Sequence, residues 1–143
     1  MSRNKLLFYA ISFTWGLPMT LIGCIAAIAL IATGHKPKKW GYCYYFEVGY
    51  GWGGVNLGPI FLVNKNASKY TKSHELGHGL QNCYFGPMMP FVVCIPSAVR
   101  YWYRNIRRKL GKPCKTNYYS IWFEAQASEL GNEFMSWYNN NTK

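Results

Sequence analysis

Two histidines and a glutamate within five residues, His74, Glu75 and His78, are the side chains of this sequence best placed to do chemistry. An α-helix turns about 100° per residue, so positions four apart end about 40° from one another on one face. His74 and His78 can then present two imidazoles to a single metal ion. Glu75, beside them, can take a proton from a water held by that ion. Such an arrangement of ligands and base suits zinc-dependent hydrolysis.

A catalytic zinc ion normally takes three protein ligands and leaves one position for water. Motifs that continue with a glycine and a third histidine have no counterpart here, since Gln81 and Tyr84 stand at those places. The chain has no aspartate. His35 follows a long apolar segment, with no obvious route back. A glutamate of the C-terminal region remains: Glu124, Glu129 or Glu133. On one helix Glu129 lies about 140° from Glu124, and Glu133 about 180°. Ala127, Ser128 and Gly131 share the face of Glu124 and form a stripe of small residues. Such a stripe lets two helices approach closely, and Gly77 offers a matching gap between the histidines. This reasoning selects Glu124, with Glu129 next. His74, His78 and Glu124 are the expected metal ligands and Glu75 the expected catalytic base.

The elements that must position these residues follow from pattern and punctuation. At 143 residues the chain is one domain at most, with a net charge of +11. Residues 6–34 carry no charged side chain, and about twenty apolar residues suffice to cross a bilayer. Lys36, Lys38 and Lys39 follow. Residues 1–39 therefore read as an uncleaved membrane anchor, a single span or one kinked at Gly16 and Pro18. The remainder, 40–143, reads as the metal-binding domain, placed on the cytoplasmic side by its positive charge. Five cysteines without a C-x-x-C pair argue against a disulfide framework or a zinc ribbon.

Within 40–143 the expected class is α+β. Residues 42–48 and 55–63 read as two strands of a β-hairpin joined by a glycine-rich turn. Gly58-Pro59 directs the second strand to a sheet edge or a bulge. The turn lacks the Gly-Lys-Ser/Thr of a phosphate loop, so nucleotide binding is not expected. Asn66 or Ser68 can cap a helix over 69–82 that carries the motif. Residues 83–99 hold Pro87, Pro90 and Pro96, which disfavours a regular spanning helix and leaves a membrane-dipping segment or a buried apolar loop. A basic, aromatic amphipathic helix runs from Pro96 to Lys109 and stops at Gly111. Its residues 100–109 suit anionic lipid head groups, and nucleic acid is not expected as a partner. A linker over 111–116 leads to the Glu124-bearing helix, 117–138.

The run His74-Glu75-Leu76-Gly77-His78-Gly79-Leu80-Gln81, with Gly86-Pro87 and Trp122-Phe123-Glu124, resembles the gluzincin branch of the zincin metallopeptidases. It is most similar to small bacterial membrane proteins with an aromatic where Leu76 stands here. The resemblance implies a membrane-anchored zinc metallopeptidase acting on a peptide or protein substrate. Where better-known gluzincins often place an aspartate as partner to a histidine, this chain has Ser128, which can hydrogen-bond without adding charge. Glu75 is then the general base, and Tyr118 or Tyr119 the candidate oxyanion donor. The edge strand could accept an extended peptide by β-augmentation, in a shallow cleft. Two other readings use the same residues: a non-catalytic membrane-bound metal-binding or scaffold protein, and a basic lipid- or nucleic-acid-binding membrane protein whose motif is accidental.

Overall fold

The computed structural model describes residues 4–142. It is α+β, with five α-helices and a four-stranded mixed sheet among those residues. Helix α1 (Lys5–Ser12) is capped by Asn4, whose side chain accepts from the Leu7 backbone N–H. Helix α2 (Leu17–Ala32) starts after Gly16 with Pro18 in its first turn, where a missing N–H costs nothing. The two axes are bent by 94° at the break expected from Gly16 and Pro18. Thr20 Oγ1 donates to the Ser12 carbonyl (2.7 Å) and ties the bend.

No helix among the described residues is by itself long and apolar enough to cross a membrane. Helix α2 has 16 residues, about 24 Å at 1.5 Å per residue, against a hydrocarbon core of about 30 Å. Two bent pairs meet the length and composition of a span together: α1 with α2, and residues 69–88 with 90–109. The first pair is packed on the rest of the chain. Phe8 is buried in the main core. Ser12 Oγ meets Cys83 Sγ at 3.6 Å, and Gly23 lies so close to the Leu57 carbonyl that no Cβ would fit.

The sheet order is β1-β2-β4-β3, from β1 (Lys38–Trp40), β2 (Cys43–Glu47), β3 (Gly54–Leu57) and β4 (Ile60–Val63). This corrects the expected hairpin. Residues 55–63 are two strands, and they form the hairpin with each other; β4 then returns parallel to β2. The cause is local. Gly58 has φ +77°, and Asn56 closes the turn by accepting from the Gly58 N–H and donating to the Gly58 carbonyl. Pro59 has no N–H to continue a ladder. Strand β4 is therefore internal and β3 is the edge. Strand β1, not expected, folds back on β2 through Gly41 (φ +59°).

Helix α3 (Lys69–Phe85) carries the motif. Ser68 caps it by accepting from the Thr71 N–H. It is buried without interruption from Ser73 to Cys83, packed by α1, the sheet and helix α5 (Trp122–Asn141). After α3 the chain makes a 3-10 turn (Gly86–Met88) and a π-helical turn (Pro90–Cys94), then enters α4 (Ile95–Lys109). The prolines of 83–99 thus give helical turns bent by 114° in all, not a loop. Three of the basic residues expected at head groups make hydrogen bonds within the protein. Arg100 donates to the Asn117 and Tyr118 carbonyls, Arg104 to Thr116 and Arg107 to Pro113. They hold the return segment against α4.

Helix α5 begins at Trp122, five residues later than expected. Asn117 instead caps a short 3-10 turn (Tyr118–Ser120), and Ile121 is extended. The expected close crossing of the two helices is present. A Cβ on Gly77 would overlap the Ala127 carbonyl, and one on Gly131 the Ser73 carbonyl. Both neighbours are backbone and cannot swing aside. Gly131→Ala should therefore destabilise the protein by about 2 kcal/mol or more, although alanine is the better helix former by about 1 kcal/mol. Urea unfolding measures this, and unchanged or raised stability would show that the crossing has slack.

Candidate metal centre

Helix α3 places His74 and His78 on one face one turn apart, and the first turn of α5 places Glu124 opposite them. Among the described residues these three form a buried group whose ligand atoms all lie within 4.8 Å of one another. The inner triangle is tighter. His74 Nε2 is 3.0 Å from Glu124 Oε2, His78 Nε2 is 3.2 Å from it, and the two Nε2 atoms are 3.1 Å apart. Tetrahedral zinc with bonds of about 2.0–2.1 Å separates its ligand atoms by about 3.3 Å. The donor set thus fits one small cation.

The outer hydrogen bonds decide which ring nitrogen carries the proton. Gln81 Nε2 donates to the Phe123 carbonyl (2.8 Å), which turns Gln81 Oε1 toward His78. That oxygen can only accept, so His78 Nδ1–H donates to it at 2.8 Å. Ser128 Oγ donates to the Glu124 carbonyl (3.1 Å) and lies 2.9 Å from His74 Nδ1, so it accepts the His74 proton. With both Nδ1 atoms protonated, both neutral rings turn an Nε2 lone pair toward Glu124 Oε2. Three lone pairs converge on one point and call for a positive charge there. The electrostatics agree. Burial opposes ionisation of both groups, yet the imidazoles of His74 and His78 hold Glu124 well below the usual carboxylate range. Burial is likewise the largest influence on His78 and opposes its charge, but the hydrogen bond to Glu124, the charges of Glu75 and Glu124 and the bond to Gln81 together outweigh it and push His78 up.

Glu124 Oε1 is held from the other side, by Ser97 Oγ of α4 and by the Tyr118 hydroxyl at 3.3 Å. This leaves Oε2 for the cation. Glu75 stands apart from the triangle. It is buried against Gly54 of β3, where a Cβ would come within 2.6 Å of its Oε1. Among the described residues nothing hydrogen-bonds its Oε2. Burial pushes its pKa above the ordinary 4.5, a rise that His78 and His74 moderate. A cleft of about 740 Å³ reaches all four residues, with β3 on one wall and α4 and residues 117–119 on another.

The structure thus gathers His74, His78, Glu124 and Glu75 in one place. Glu129 and Glu133 are exposed, and His35 is bonded to Thr33 beyond α2. Both candidate oxyanion donors line the cleft. Tyr118 is engaged with Ser97 and Glu124, while the Tyr119 ring packs edge-on to His74 at 4.9 Å. Ser97 and Gln81 were not foreseen as site residues. Gln81 had a usable signal, since it lies three residues beyond His78 on the same helix face. Ser97 had none, because only the fold brings α4 to Glu124. No protein-family model matches this chain, and no curated protein or solved structure matches it either.

Gln81→Leu keeps the shape of the side chain and removes the acceptor for His78. It should weaken metal binding about 10–100-fold, as loss of an outer partner of a metal-binding histidine does, read by competition with a chromophoric chelator. Unchanged affinity would mean that Gln81 does not orient the ring. Glu75 gives a pH prediction. Its pKa is raised on folding, so its contribution is fully present below 4.5 and is lost as pH rises through the folded value. In chelator-treated protein, Glu75→Gln should match wild type at about pH 4 and exceed it by about 1–3 kcal/mol at pH 7. Thermal melts at both pH values check the sign.

Proposed function

We propose that this chain is a membrane-associated zinc metallopeptidase in which Glu75 is the general base. The observation that carries the reading is the state of Glu75. A site built only to hold an ion has no use for a second carboxyl group that is buried, beside the ligands and without a hydrogen-bond partner at Oε2 among the described residues. A site for hydrolysis needs such a group.

In this reading His74, His78 and Glu124 hold the zinc ion. Bound there, zinc supplies Lewis acidity that acidifies water and polarises a carbonyl. Glu75 takes the proton of the attacking water and returns it to the departing amine, a transfer served by a base whose pKa is raised toward neutrality. Strand β3 is the sheet edge and lines the cleft, so its backbone can pair with an extended substrate segment. The ring of Tyr119 faces the same space, and its hydroxyl is the better oxyanion donor because Tyr118 is already committed to Glu124. Membrane association is supported by the α1–α2 pair, uncharged from Leu6 onward, and its exposed isoleucines and leucines.

The deciding experiment combines metal analysis with a peptide library. Purified protein should contain close to one equivalent of zinc by mass spectrometry. Glu75→Gln should keep the metal and lower cleavage at least about 100-fold. Less than about a tenth of an equivalent of zinc would overturn the reading. Full metal loading with equal, or absent, cleavage by wild type and Glu75→Gln would leave a metal-binding scaffold.

A further inference from the structure

Along the π turn and α4, Phe91, Ile95, Val99, Trp102, Ile106 and Leu110 recur at intervals of four, four, three, four and four, the spacing of one helix face. Each is between 52% and 65% exposed. Single exposed apolar residues are ordinary, but a stripe of six marks a surface that something covers. The stripe adjoins α2, where Met19 Sδ lies 3.9 Å from Cys94 Sγ, and α2 exposes Leu21, Ile25 and Ile28 in the same manner.

Charge identifies the occupant. Between Glu75 and Glu124 the chain has no acidic residue. The stripe ends in exposed Arg108, Lys109, Lys112 and Lys115, and three aromatics, Tyr101, Trp102 and Tyr103, precede that basic end. Apolar stripe, aromatic belt and basic cluster in that order match the layers of an anionic bilayer surface. A second copy of the chain would bring the same excess of positive charge against itself.

Trp102 belongs both to the stripe and to the wall of the cleft. We infer that the face Phe91–Leu110 seats in an anionic lipid leaflet, so that the cleft opens at the membrane surface and takes polypeptide segments lying there. The substrate half rests on the peptidase reading above; the seating does not.

The test uses the full chain in phosphatidylcholine–phosphatidylglycerol vesicles containing a lipid that bears a photoactivatable diazirine. Adducts mapped by mass spectrometry should fall on residues 91–110 as well as on α2. Label confined to α1 and α2 would overturn the seating. In Val99→Glu with Ile106→Glu, neither of which lines the cleft, label on the stripe should fall at least tenfold while label on α2 persists. The same peptide offered free and tethered to vesicles should be cleaved at least tenfold faster when tethered. The double variant should lose that preference and keep the rate on free peptide. Equal rates for wild type would overturn the substrate half. If neither form is cleaved, the peptidase reading and the substrate half fail together, and the lipid adducts still decide the seating.

Discussion

The distance between α3 and α5 is the constraint on which the rest depends. Two helices with ordinary side chains at the contact lie about 8–10 Å apart. Gly77 and Gly131 bring backbone against backbone at the crossing, and only then do imidazoles from one helix and a carboxylate from the other meet around one point. Helix α3 accepts the costly Gly77, and α5 the costly Gly131, for this. The stability they forgo is recovered by tertiary packing, since α3 is covered on every side.

Burial of so polar a stretch of helix creates a second demand. Ser73, His74, Glu75, His78, Gln81 and Asn82 all lie inside, and an unpartnered buried polar group costs about 1–3 kcal/mol. The fold answers through its periphery. Asn82 Nδ2 donates to the Gly16 carbonyl at the α1–α2 bend, and Gln81 is tied to α5. The N-terminal helices therefore do more than carry apolar surface; they close one end of the motif helix. The arginines of α4 act similarly, binding the carbonyls of the return segment that bears Tyr118.

The candidate metal ligands were legible because they are local or follow from elimination. His74 and His78 needed only helical spacing. Glu124 needed the absence of aspartate and the small stripe at Ala127, Ser128 and Gly131. The break at Gly16–Pro18, the Ser68 cap and the stop before Gly111 were legible because glycine, proline and serine act on their immediate neighbours. Pairing over distance was not. The parallel partnership of β2 with β4 depends on Asn56 closing a turn at Gly58, and a strand's pattern of side chains does not name its neighbour. The role of Ser97 was hidden for the same reason. Strand β1 is three residues long and leaves almost no periodicity to read.

The side chain of Asn56 does one thing more than shape a turn. Its Nδ2 also donates to the Glu75 carbonyl at 2.8 Å, so the edge strand and the motif helix are joined at Glu75, the base of the proposed mechanism. The bond ties β3 to the helix backbone at Glu75. A polypeptide in β conformation repeats its outlook every second residue, about 6.8 Å along its length. A chain laid beside β3 therefore brings an equivalent peptide group to the same place only in steps of two. On the proposed reading the tether makes β3 a ruler with fixed graduations, and its zero mark is set by the hydrogen bond from Asn56 to Glu75.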